Sequence, residues 1–181
     1  ELFYKKRGLV LDRYDQLQAY MITGGIPYYL SYFEKGLSLP QNIDAMFFAT
    51  NGKLKNEFER LYSSLFVDSQ RYISVVRALS QRRDGLTRNE ISKKLGLSSG
   101  GGLTEILRTL EASNLILSYP IFQGSRRDVR YKLVDLFSLF YMYFMESHTT
   151  GSPNFWSENF KSPQLNAWRG FAFEEVCYVH Q

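Results

Sequence analysis

Apolar positions recur at three- and four-residue spacing through the first seventy residues, and glycines and prolines interrupt them at short intervals. Leu17, Tyr20 and Met21 share one helical face within residues 12–23, and Gly24-Gly25 with Pro27 just beyond ends that helix. Pro27 opens a second short helix through Tyr28, Leu30, Tyr32 and Phe33, closed by Gly36. Two further helices are predicted over 41–50 and 53–66, with Ile43, Met46 and Phe47, then Phe58, Leu61, Tyr62 and Leu65, as their core faces. Four short helices joined by brief turns predict a small helical bundle.

The middle of the chain changes pattern. Residues 72–82 read as a helix with Ile73, Val76 and Leu79 inward. Thr87-Arg88-Asn89-Glu90 has the form of a capping box, in which the Thr87 hydroxyl and the Glu90 carboxylate satisfy each other's backbone amides. It starts a helix through Ile91 and Leu95 that Gly96 ends. Ser98 or Ser99 caps a third helix through Leu103, Ile106, Leu107 and Leu110. Residues 115–122 and 129–133 then read as two strands around Gln123-Gly124-Ser125-Arg126-Arg127-Asp128. Three helices followed by a basic-tipped hairpin predict a winged helix-turn-helix.

The last segment opens with an aromatic helix over 135–145. A polar stretch, 147–164, follows with Phe155, Trp156 and Phe160 as anchors, and another helix starts near Leu165. The expected fold class is mainly α with a small β-wing. Its expected divisions are a helical bundle over 1–69, a winged helix over 70–133 and an aromatic-rich segment over 134–181.

Composition sharpens this division. The net charge of +4 is mild, but it is unevenly spread. Residues 1–70 are neutral, residues 71–132 carry +7 and residues 133–181 carry −3, while aromatic residues concentrate in the outer two segments. A basic module thus stands between two aromatic-rich ones, and a basic module points to an anionic partner. The single cysteine, Cys177, excludes a disulfide framework and makes a cytoplasmic setting the expectation. The apolar run 136–145 is about half of a bilayer span, and no signal-peptide pattern opens the chain, so no membrane partner is expected. A start at Glu1 and an apolar segment that stops at Gln181 lead us to expect a piece of a longer protein.

Candidate chemistry concentrates in the basic module. Once the core positions are subtracted, Gly101, Thr104, Glu105 and Arg108 occupy the exposed face of the third helix. In a winged helix that face enters the major groove, with Ser99, Thr104 and Arg108 as candidate contacts. Arg126, Arg127 and Arg130 of the wing then reach phosphates. Arg108 is suited to guanine, and the wing arginines supply sequence-independent affinity. Glu105 stands against this by placing a negative charge in mid-face, and a protein-docking role for the same module remains open. Ser99-Gly100-Gly101-Gly102 is no Walker motif, because Leu103 and Thr104 follow where Lys and Ser/Thr are needed, and Gly52-Lys53 fails for similar reasons. Cys177 and His180 are two ligand types without a completing set, His148 stands alone, and Glu174-Glu175 offers a carboxylate with no partner in sequence.

Several stretches taken together resemble a known family. They are residues 20–30 (Tyr-Met-Ile-Thr-Gly-Gly-Ile-Pro-Tyr-Tyr-Leu), 57–66, 85–91, 99–103, 135–141 and 168–174 (Trp-Arg-Gly-Phe-Ala-Phe-Glu). In this order they resemble the C-terminal part of the archaeal-type AAA+ ATPases, a STAND-related group. The resemblance implies an ATPase lid over the first segment and a winged helix in the second. The third would be a connector leading into a restriction-endonuclease-like domain. It also implies a parent protein that uses ATP and Mg through Walker motifs upstream of this chain. Glu174 would match the acidic residue on the first helix of the nuclease-like domain. DNA and the upstream ATPase core would be the partners, and this chain itself would hold no cofactor and no complete catalytic site.

Overall fold

Asp12 accepts a hydrogen bond from the Asp15 amide and so starts the first long helix of the chain, and Gly24 ends it in the left-handed conformation at φ 63°. A computed structural model describes residues 2–97, 101–121, 129–146 and 151–180. The fold is mainly helical with one small three-stranded antiparallel sheet. It divides into two compact units, a discontinuous one of Glu1–Phe58 with Tyr143–Gln181 and a central one of Glu59–Met142. These units do not follow the charge segments. The −3 segment divides after Met142, and its larger part forms one unit with the first 58 residues.

The discontinuous unit contains α1 (Leu2–Arg7), α2 (Arg13–Thr23), α3 (Pro27–Leu30) and α4 (Leu39–Ile43). α4 widens into a π-type turn over Asp44–Phe48. α3 is shorter than its sequence pattern, because Tyr32 and Phe33 bond three residues back, to Tyr29 and Leu30, and the chain winds down there. α4 starts earlier than expected, because Ser38 and Gln41 form a capping box with Pro40 in the first turn.

The late part of the chain adds α10 (Phe155–Glu158) and α11 (Pro163–Val179) to this unit. Buried Asp44 fixes α10 by accepting hydrogen bonds from the Trp156 and Ser157 amides at 2.7 and 2.9 Å. Trp156 lies fully buried, edge-on to Phe144 and Trp168 at 5.1 and 5.5 Å between ring centroids. On α11, Arg169 donates to Gln18 and Asn166 at 2.7 and 2.8 Å and lies 4.4 Å over the Phe160 ring.

The central unit contains α5 (Glu57–Leu65) apart from its first two residues, then α6 (Ser69–Ser80), β1 (Leu86–Thr87), α7 (Arg88–Leu95) and α8 (Gly101–Ala112). It continues through β2 (Ile116–Pro120), β3 (Val129–Leu133) and α9 (Leu136–Phe140). The sheet order is β1-β3-β2, with Leu86 opposite Tyr131, Ile116 opposite Leu133, and Arg130 between Thr87 and Tyr119. Ile73, Val76 and Leu79 of α6, Ile91 of α7, and Leu103, Ile106, Leu107 and Leu110 of α8 are buried, with Ile116 and Leu133 among the other core residues. Tyr62 and Ser138 share a buried hydrogen bond of 3.1 Å, and the Tyr141 hydroxyl donates to Glu59 at 3.0 Å.

Gly85 leads into β1 at φ 70°, and a Cβ there would overlap the Tyr131 carbonyl. Only glycine fits this approach of two backbones. β1 has no counterpart in the sequence pattern, since two residues are too few to show an alternation. β2 is shorter than the expected 115–122, and residues 122–128 lie outside the described residues.

Candidate nucleic-acid interface

The expected capping box starts α7. Glu90 accepts from the Thr87 amide at 2.7 Å and from its hydroxyl at 2.9 Å, and the Glu90 amide donates to the Thr87 hydroxyl at 3.2 Å. The same carboxylate anchors a charge cluster. Arg82 donates to Asp84 at 3.0 Å and to Glu90 at 3.2 Å. Arg130 donates to the Gly85 carbonyl at 2.7 Å and lies 3.3 Å from Asp84 and 3.8 Å from Glu90. The Thr87 amide and hydroxyl hold the Glu90 carboxyl below its usual range, with Arg130 and Arg82 adding to the effect against some burial. Asp84 is likewise held low, first by its hydrogen bond from Arg82.

This cluster engages Arg130. Sequence placed it on the wing, reaching phosphate. In the structure it sits within β3 with only 21% of its side chain exposed, and its guanidinium ties β3 to the turn before β1 and to the cap of α7. Its register between Thr87 and Tyr119 turns the side chain toward the two carboxylates.

The exposed face of α8 carries the residues that periodicity left outside the core. Gly101, Gly102, Thr104, Glu105 and Arg108 are exposed. Arg108 and Glu105 pair at 2.7 Å one turn apart, with side chains 75% and 58% exposed. The hydrogen bond and charge of Glu105 raise the guanidinium pKa of Arg108 further. Arg88, the first residue of α7, donates through Nε to the Thr104 hydroxyl at 3.0 Å. From α6, Arg71 approaches the start of α8 so closely that a Cβ at Gly102 would lie 3.1 Å from its guanidinium. Lys93 and Lys94 are exposed in the last turn of α7. Arginines from three helices thus border one solvent-facing strip, an arrangement suited to a polyanion.

Sequence did not single out Arg71 or Arg88 as site residues. The signal for Arg88 was its position directly after the Thr87 cap, at the helix end that meets α8. Arg71 offered no local signal, because its approach to Gly102 depends on how α6 packs.

The remaining candidates are placed as follows. Ser99, Arg126, Arg127 and His148 lie outside the described residues. Glu174 is exposed on α11, while its neighbour Glu175 is buried. Cys177 is exposed, and the ring of His180 shares a hydrogen bond of 2.7 Å with the Tyr20 hydroxyl. Among the described residues no group of three or more His, Cys, Asp or Glu is arranged to hold a metal ion, and no helix is long and apolar enough to cross a membrane. Gly101 and Gly102 open α8 and are followed by buried Leu103, so no lysine stands where a nucleotide triphosphate would need one.

No family model, no curated protein and no solved structure matches the chain.

Proposed function

We propose that this chain is a non-catalytic part of an AAA+/STAND-type ATP-binding protein and that its middle region is a winged helix that binds duplex DNA. The observation that carries the reading is the exposed face of α8, bordered by Arg71, Arg88 and Arg108 within a +7 segment. The element order supports it: a helix, a short strand, two helices and an antiparallel strand pair, with the short strand added at the edge. In this reading α8 lies in the major groove. Arg108 addresses guanine, while Arg71, Arg88, Arg126 and Arg127 meet the phosphates. Residues 1–69 act as the ATPase lid and 134–181 as the connector into a nuclease-like domain that contains Glu174. ATP and Mg are used by the upstream core of the parent protein.

Titration of duplex DNA at several salt concentrations tests this. Each neutralised phosphate contributes about 0.9 to the log–log slope. Replacing Arg126 and Arg127 with Ala should therefore lower the slope by roughly 2. Affinity indifferent to salt and to those arginines refutes DNA binding. The Glu105–Arg108 pair favours a second reading, in which the same face docks on the parent's ATPase core and gates nucleotide turnover. Capture of the isolated core, lost on Arg108→Ala, is the outcome expected of that alternative.

A further inference from the structure

An acidic side chain in the middle of a DNA-facing strip opposes phosphate binding, and its presence on α8 needs a physical role. Glu105 and Arg108 are not held as the Arg82–Asp84–Glu90–Arg130 cluster is. Both side chains are mostly exposed, and they meet through a single bond of 2.7 Å on the face opposite the buried Leu103, Ile106, Leu107 and Leu110. Such an exposed pair contributes little to stability, so its partners are exchangeable.

We infer that Glu105 and Arg108 act together as the specificity-determining pair of this face, selecting duplex DNA that presents a cytosine amino group next to a guanine in the major groove. The inference rests on the DNA-binding reading above. Arginine recognises guanine by donating twice to O6 and N7, and a glutamate accepts from the cytosine N4 amino group. The bond to Glu105 uses one hydrogen of a guanidinium that has five, and a carboxylate has room for about four donors, so the pair keeps capacity for bases while still joined. The two charged heads meet at 2.7 Å on one exposed face, so whatever bases they address are immediate neighbours. Away from the matching bases Glu105 faces phosphates and repels them, which weakens binding to arbitrary sequence.

Selection of binding sites from a randomised duplex pool, run in parallel for the wild type, Glu105→Gln and Arg108→Ala, tests the inference. Neither residue is buried, and unchanged amide exchange in the central unit confirms that each variant is folded. The wild type should enrich adjacent cytosine and guanine positions. Arg108→Ala should lose the guanine preference. Glu105→Gln should lose the cytosine preference by roughly 5- to 150-fold or shift it to adenine, while binding random duplex more tightly. Wild-type binding with no base preference overturns the inference but leaves DNA binding standing, as does a Glu105→Gln profile identical to the wild type. A wild type that binds no duplex at any salt concentration overturns both.

Discussion

Arg130 distinguishes an arginine held by the fold from one that serves the proposed DNA interface. Replacing it with alanine strips the Gly85 carbonyl of its charged donor and removes the cation between Asp84 and Glu90. A hydrogen bond to a charged group is worth about 1.5–3 kcal/mol. The two ion pairs add little, since the Asp84 and Glu90 side chains are 60% and 37% exposed. The expected loss is about 2 kcal/mol, which moves a urea midpoint by about 1 M at an ordinary slope. Both tryptophans, Trp156 and Trp168, belong to the discontinuous unit, so their fluorescence does not report on this change directly. Amide exchange at Tyr131, Lys132 and Leu133 against increasing urea does. On the proposed DNA-binding reading, the folded variant should keep the wild-type salt dependence, because the Arg130 guanidinium is engaged by the Gly85 carbonyl, Asp84 and Glu90. A stability change below about 0.5 kcal/mol together with a DNA-binding salt slope lower by about 0.9 would refute the structural role and assign Arg130 to the proposed interface.

Asp44→Ala removes both acceptors from the start of α10 and should cost roughly 3 kcal/mol, read by tryptophan fluorescence in urea; a loss under about 1 kcal/mol would show that the cap is dispensable. Gly85→Ala should destabilise the central unit by more than about 2 kcal/mol, through left-handed strain plus overlap with the Tyr131 carbonyl. Gly96→Ala has the same strain at φ 62° but open space, and should cost only about 1 kcal/mol; equal effects would discount the overlap. Asp84 and Glu90 titrate lower in the folded chain than their ordinary values of 3.8 and 4.5. The unfolded chain thus binds their protons first, and their stabilisation is complete above those values and lost as pH falls through the folded ones. Exchange protection of β3 should decline on acidification below pH 4.5, less steeply in Glu90→Gln, and an unchanged acid limb in that variant would exclude Glu90 as its source.

The helices of the central unit were legible because their information is local. Ile73, Val76 and Leu79, and then Leu103, Ile106, Leu107 and Leu110, repeat at helical spacing and are buried as that spacing requires. The Thr87–Glu90 capping box needs only four consecutive residues, and it forms. The exposed face of α8 follows by subtraction of its apolar positions, which leaves Thr104, Glu105 and Arg108 facing solvent. The π-type turns at Asp44–Phe48 and Tyr141–Met145 escaped, since a periodicity of 3.6 residues does not register a single widened turn.

By itself the sequence determined the main helices of the central unit, which faces they bury, and that positive charge collects between two aromatic-rich segments. Those properties depend on residues a few positions apart. Only the tertiary structure decided which charges are spent on the fold. Arg130 reads as one more basic residue near a hairpin, yet it lies against the carbonyl of Gly85, 45 positions away, because β3 pairs with β1. Arg71 and Arg88 were unremarked, yet the packing of α6 and α7 brings them to α8. Asp44 caps a helix 112 residues downstream. Each of these contacts is set by how elements pack across long stretches of chain, which local periodicity does not encode.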